Sequence, residues 1–146
     1  MKALIKPALI VSLALLPFNA AIAQSNLASG LNVMVTSADT QTQLMAMVLS
    51  LQTIKKHGKK VNMVLCGPAG KLGLTSTVSK KLKPKNVSPT MLLKKIIKLG
   101  ANVNVCPLYL PNANKNKTDL MKGIGVAKPP MVAKHLLNKN LKNLTY

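Results

Sequence analysis

The chain predicts a single α/β domain built on a mostly parallel sheet of about five strands. Three observations carry that expectation. Short apolar or alternating runs stand at 31–36, 61–65 and 102–106; apolar residues recur at helical spacing at 41–57 and after Pro89; and glycine, proline and asparagine mark the junctions. Strands alternating with helices at this spacing read as βαβ units, whose connections are right-handed.

The first residues stand apart. Lys2 and Lys6 precede an apolar run from Ala8 to Leu16, and Ala21-Ile22-Ala23 gives a small-x-small site before Gln24. That is the pattern of a secretory signal peptide over 1–23, with the α/β domain over 24–146. The run is too short for a permanent membrane span, and no second apolar stretch approaches that length. The expectation is an exported, periplasmic protein without a transmembrane segment in its mature chain.

Within the domain, 31–36 (LNVMVT) reads as a buried strand and Ser37 to Thr40 as a polar turn. Leu44, Met47, Val48, Leu51 and Ile54 then give a helix over 41–57, closed by Lys55, Lys56, His57 and Gly58. Basic residues in a last turn followed by glycine form a helix stop. The second strand, 61–65, ends on Cys66-Gly67-Pro68. Residues 67–87 are the loosest stretch, with a helical turn near 69–75 and an exposed basic loop after it. Ser88 as N-cap and Pro89 open a helix whose apolar face is Leu92, Leu93, Ile96, Ile97 and Leu99, and which Gly100 ends. The third strand, 102–106, runs into a Pro/Asn-rich loop. A short helical turn at Thr118–Met121, a brief strand at Gly123–Val126, a helix from Pro129 through Leu137 and an edge strand over 141–146 complete the chain.

Composition narrows the function. The formal net charge is +19; without the two leader lysines it is +17, from lysine alone, with Asp39 and Asp119 as the only acids. Such charge draws anions towards the surface and favours a thiolate over a thiol. Specific nucleic-acid binding is not expected, because there is no arginine and the domain's only aromatics are Tyr109 and Tyr146. His57 complements a helix end, His135 reads as solvated beside Lys134, and neither lies at ligand spacing from a cysteine, so no metal or other cofactor is expected. The methionines at 34, 45, 47, 63, 91, 121 and 131 read as core. No catalytic triad, phosphate loop or paired carboxylate is present, and a hydrolase is unsupported.

Ligands of open parallel sheets bind beyond the carboxyl ends of the strands. Those ends gather Thr36, Ser37 and Asp39, then Cys66, then Cys106. Asp39 and Asp119 read as helix caps. Cys106 has two readings, a working thiol at the rim or a small buried residue ending its strand. Cys66 has two as well: it forms a lasting disulfide with Cys106, or it resolves a reaction at that thiol. If strands 61–65 and 102–106 are neighbours, their ends lie about 5 Å apart, which suits the Cα separation of a disulfide.

"KLGANVNVCPLYLPN", "TDLMKGIGV" and "PPMVAKHLL" resemble the carboxyl-terminal half of the DsrE/DsrF-like proteins, and the Thr-Ser-x-Asp turn, helix, His-Gly and second strand resemble the amino-terminal half. The resemblance implies a three-layer, flavodoxin-like domain that forms homo-oligomers. It also implies a cysteine, here Cys106, that carries sulfur as a persulfide and exchanges it with a donor or acceptor protein or a small anion. Where members with a Cys-x-x-Cys arrangement have a second thiol, this chain has Tyr109. The reading that follows is a sulfur- or redox-handling protein with Cys106 as acceptor thiol, Cys66 as its partner, and Ser37, Asp39, Tyr109 and Asn112 in support. The competing reading is a non-catalytic module whose cysteines are bridged or buried and whose basic surface binds an anionic partner.

Overall fold

The computed structural model describes residues 27–146; the predicted leader lies outside them. Five strands form one sheet: β1 (Gly30–Val35), β2 (Lys60–Leu65), β3 (Asn102–Val105), β4 (Ile124–Val126) and β5 (Leu141–Thr145). Their order is β4-β3-β2-β1-β5, and every pairing is parallel. The architecture is flavodoxin-like α/β, and the parallel sheet is complete rather than partial. Four α-helices accompany it: α1 (Thr40–His57), α2 (Pro89–Lys98), the single turn α3 (Tyr109–Asn112) and α4 (Pro129–Leu136). No helix of the described residues is long and apolar enough to cross a membrane.

Topology follows from handedness. The chain steps from β1 to β4 in one direction, so α1 and α2 lie together on one face. The return from β4 to β5 runs the other way and carries α4 to the opposite face, over Asn32, Asn62 and Val64. On the first face Val33, Val35, Val61, Met63, Leu65, Val103 and Val105 are all buried, against Met47, Leu93 and Ile96. Each such side chain contributes about 1.5–3 kcal/mol on leaving water.

The second face is polar. Strand pairing sets Asn143, Asn32, Asn62 and Asn102 in register across β5, β1, β2 and β3. Asn62 Nδ2 donates to Asn32 Oδ1 at 3.1 Å, Asn32 Nδ2 to Asn143 Oδ1 at 3.0 Å, and Asn102 Nδ2 to Asn62 Oδ1 at 3.3 Å. The carboxamides bond to one another and, through Asn32 and Asn143, to the His135 and Leu136 carbonyls, which lets asparagine occupy these strand positions.

Helix α1 is rotated from the sequence expectation. Its deepest stripe is Gln43, Ala46, Met47 and Ser50, while Leu44, Val48, Leu51 and Ile54 flank it half-buried. Small residues at 46 and 50 allow the helix close to the sheet. The buried polar groups are satisfied locally, Gln43 Nε2 on the Ser37 carbonyl (2.7 Å) and Ser50 Oγ on that of Ala46 (2.7 Å). The helix stops at Gly58, whose φ of +61° suits glycine. Met47, Met63 and Met121 are core, but Met45, Met91 and Met131 are exposed; apolar character alone does not separate the two sets. His135 is half-buried rather than solvated, and its carbonyl accepts from Asn32.

Candidate functional site

Cys66 and Cys106 follow the last paired residues of β2 and β3, Leu65 and Val105, which are themselves partners. Both are free cysteines, and both are half-buried. The same local structure holds each. The Cys66 N–H donates to the Val35 carbonyl (2.8 Å) and the Cys106 N–H to that of Leu65 (2.9 Å), so each residue prolongs the ladder by one step. Each carbonyl then closes a turn: that of Cys66 accepts from Ala69 N–H (3.1 Å), that of Cys106 from Tyr109 N–H (3.0 Å). Gly67, at φ +50°, turns the chain sharply after Cys66 into a 3₁₀ turn, Gly67–Gly73, with Pro68 in its first turn. Pro107 and α3 do the equivalent after Cys106.

The two thiols therefore sit side by side at the carboxyl edge. Burial pushes the Cys66 thiol up to about 11, and a hydrogen bond with the Cys106 thiol pushes in the same direction. Both effects favour the neutral form. Cys66 therefore keeps its proton at neutral pH. No lysine charge offsets the burial of Cys66. The cleft lining itself contains no lysine.

That cleft has a volume of about 460 Å³ and opens over Cys106, between Gly67 and Pro68 on one side and Leu108, Tyr109, Asn112 and Ala113 on the other. Tyr109 lies against Gly70, where an added Cβ would stand 2.3 Å from its ring. The glycine is a seat for the aromatic face, and it locks the turn after Cys66 to the turn after Cys106. Burial raises the Tyr109 phenol above its ordinary range. Asn112 is tied back by its side-chain N–H to the Leu108 carbonyl at 2.7 Å. Leu108 itself is 70% exposed at the mouth, an apolar residue facing solvent.

Ser37 and Asp39 lie at the end of β1 but not in the cleft lining. Asp39 caps α1, its Oδ1 accepting from Thr42 N–H (2.8 Å) and Thr42 Oγ1 (2.8 Å), and these bonds hold its carboxyl below the usual range. Ser37 Oγ accepts from Asp39 N–H (3.0 Å). Both shape the turn at the edge of the sheet rather than the cleft over Cys106. Asp119 serves the start of its own short helix as expected: it is the third residue of the 3₁₀ turn Lys117–Asp119 and completes a capping box, its Oδ2 accepting from the N–H of the N-cap Asn116 (2.9 Å).

Sequence reading passed over Pro68, Gly70, Leu108 and Ala113 as parts of the site. The one available signal was the glycine spacing of GPAGKLG, which marks close approach without saying of what. Helix α3 was hidden in a loop rich in proline and asparagine. No group of three or more histidine, cysteine or acidic side chains suited to a metal occurs among the described residues.

No protein-family model and no curated protein sequence matches the chain. Solved structures do. The ychN protein from E. coli is 13% identical, with a TM-score of 0.65 over 80% of this chain and 99% of that one. MTH1491 from Methanobacterium thermoautotrophicum, described as a protein of unknown function, is 7% identical, with a TM-score of 0.62 over 80% of this chain and 98% of its own. Both share the fold of residues 27–146, which is a flavodoxin-like α/β one with an all-parallel sheet.

Proposed function

We propose that this is an exported sulfur- and redox-handling protein in which Cys106 accepts sulfane sulfur and Cys66 resolves it. The observation that carries the reading is the thiol pair: two free cysteines at adjacent strand ends, one holding its proton, beside an apolar cleft. In the first step the Cys106 thiolate attacks a terminal sulfane sulfur of a polysulfide or a protein persulfide. One S–S bond forms, one breaks, and the donor leaves one sulfur shorter. In the second, Cys66 gives up its proton and attacks the Cys106 sulfur. A Cys66–Cys106 disulfide forms and hydrosulfide leaves, so the two thiols have reduced one sulfane sulfur to sulfide. A dithiol reductant returns the pair to its starting state. The apolar lining keeps the persulfide from water, and Asn112 and Tyr109 shape its wall. Export rests on the leader pattern of 1–23.

Self-association is part of the reading. In a chain so rich in lysine, α1 has no charged residue from Thr40 to Ile54, and Met45 and Leu49 are 50% and 41% exposed on it. A second copy is the occupant that fits, since like-charge repulsion is least where lysines are absent.

The test is the intact mass of the protein purified without reductant, before and after polysulfide. A reductant-reversible gain of one sulfur, absent in Cys106→Ser and longer-lived in Cys66→Ser, supports the sequence of steps. A mass lacking both thiol hydrogens from the outset, resistant to mild dithiol and unchanged by polysulfide, means a lasting bridge and a non-catalytic module.

A further inference from the structure

We infer that a second site, on the α2 side of the sheet and away from the cysteines, binds a single acidic amphiphile: a phosphate-type anion with a short apolar chain. The observation is a groove of about 660 Å³ lined by Thr75, Lys94, Ile97, Lys98, Met121, Lys122 and Gly123. Its volume falls within the roughly 300–1,000 Å³ of small-molecule sites.

The groove combines two chemistries. Lys94 and Lys98 are four residues apart on α2, so their stems lie on one face, with Ile97 beside them. Lys122 enters from the loop before β4. Three lysines thus line one concavity, and a like-charged pair at that helical spacing is mildly unfavourable until an anion screens it. Beneath them the floor is apolar: Met121 is buried and Ile97 half-buried. Gly123, at φ +89°, keeps that floor open, because a Cβ there would stand 2.6 Å from Ile97 Cγ2.

No acid competes for the lysines. Asp39 caps α1, and Asp119, the nearer in sequence, turns its carboxylate back to Asn116 N–H. The carboxyl end of α2 adds a partial negative charge, which Lys95 and Lys98 in its last turn offset. Cations over an apolar floor select an anion that carries hydrocarbon. A free anion leaves the floor wet, and an uncharged chain leaves the lysines unpartnered. The groove is concave rather than flat, which favours a monomeric ligand over a bilayer surface.

The experiment is an amide-shift titration of the residue 24–146 chain with inorganic phosphate, butyl phosphate, octyl phosphate and octyl glucoside, with anionic phosphatidylglycerol vesicles in parallel. The expected result is saturable binding of octyl phosphate, with shifts at Ile97, Lys98 and Gly123. It should be at least tenfold tighter than butyl phosphate, since each buried methylene is worth up to about fourfold. Lys94→Gln/Lys98→Gln/Lys122→Gln should weaken it at least tenfold. Lys128→Gln/Lys134→Gln/Lys139→Gln removes the same charge at α4 and should cost less than twofold. Each triple variant is checked by thermal melting; all six lysines are exposed, so the fold should persist. Equal losses in the two triples would overturn the site in favour of general surface charge. Octyl phosphate no tighter than inorganic phosphate would remove the apolar floor from the account. Vesicle binding without monomer binding would replace the proposal with a membrane surface.

Discussion

Cys66 is the residue on which the proposed thiol chemistry turns, and its ionisation can be read by timed alkylation. With its thiol pushed up to about 11 from an ordinary 9.0, the thiolate fraction at neutral pH falls about a hundredfold below that of a free cysteine peptide. A more basic thiolate is intrinsically more nucleophilic, and a Brønsted slope of about 0.4–0.5 returns roughly eightfold. Iodoacetamide should therefore modify Cys66 about tenfold more slowly than the free peptide at pH 7. The rate should climb with pH well past the point where the peptide levels off. The assay is a quenched pulse of iodoacetamide at a series of pH values, followed by peptide mass spectrometry of the 66 and 106 positions. Cys106→Ala removes the hydrogen bond but not the burial, which is the larger cause, so it should speed Cys66 only part of the way to the peptide rate. Alkylation of Cys66 at the free-peptide rate at pH 7, or a plateau at the peptide's pH, would refute the argument that this thiol holds its proton.

Three further outcomes follow from the packing and the caps. Gly70→Ala places a methyl group against the Tyr109 ring; we expect a loss of about 1–3 kcal/mol by urea unfolding together with faster alkylation of Cys106, whereas unchanged stability would mean that the ring does not rest on this glycine. Asp39 has a lowered carboxyl value in the folded protein, so its contribution is complete above the unfolded value of 3.8 and is lost as pH falls through the folded one. Asp39→Asn keeps a capping oxygen that does not titrate, and its urea midpoint should fall less than the parent's between about pH 5 and about pH 2.5; identical profiles would remove Asp39 as the cause. Met45→Lys/Leu49→Lys should convert the assembly to monomer in light scattering, and a parent that is itself monomeric would end the self-association reading.

Much of the architecture was legible because it depends on short-range rules. Ser88 caps α2 and Gly58 stops α1 through bonds made within one turn, and alternation in NVNV fixes which side chains of β3 share a face. Strand ends are equally local, so the placement of Cys66 and Cys106 at one edge needed only the parallel βαβ rule. What α1 buries was not legible. Leu44 and Ala46 differ little to a periodicity argument, and how closely the helix approaches the sheet decides which goes deepest.

The sequence by itself determined a parallel α/β domain, its caps and turns, its extreme lysine charge, and a cysteine at the end of each of two strands. Only the tertiary structure decided that β2 and β3 are neighbours, and hence that the two cysteines stand at adjacent strand ends, where burial raises one of them. It likewise decided that Tyr109 rests on Gly70, and that four asparagines from separate strands stand in one register and bond in a row. These are contacts between residues tens of positions apart. Their existence depends on strand order and register, which the packing of whole faces sets and which no local pattern encodes.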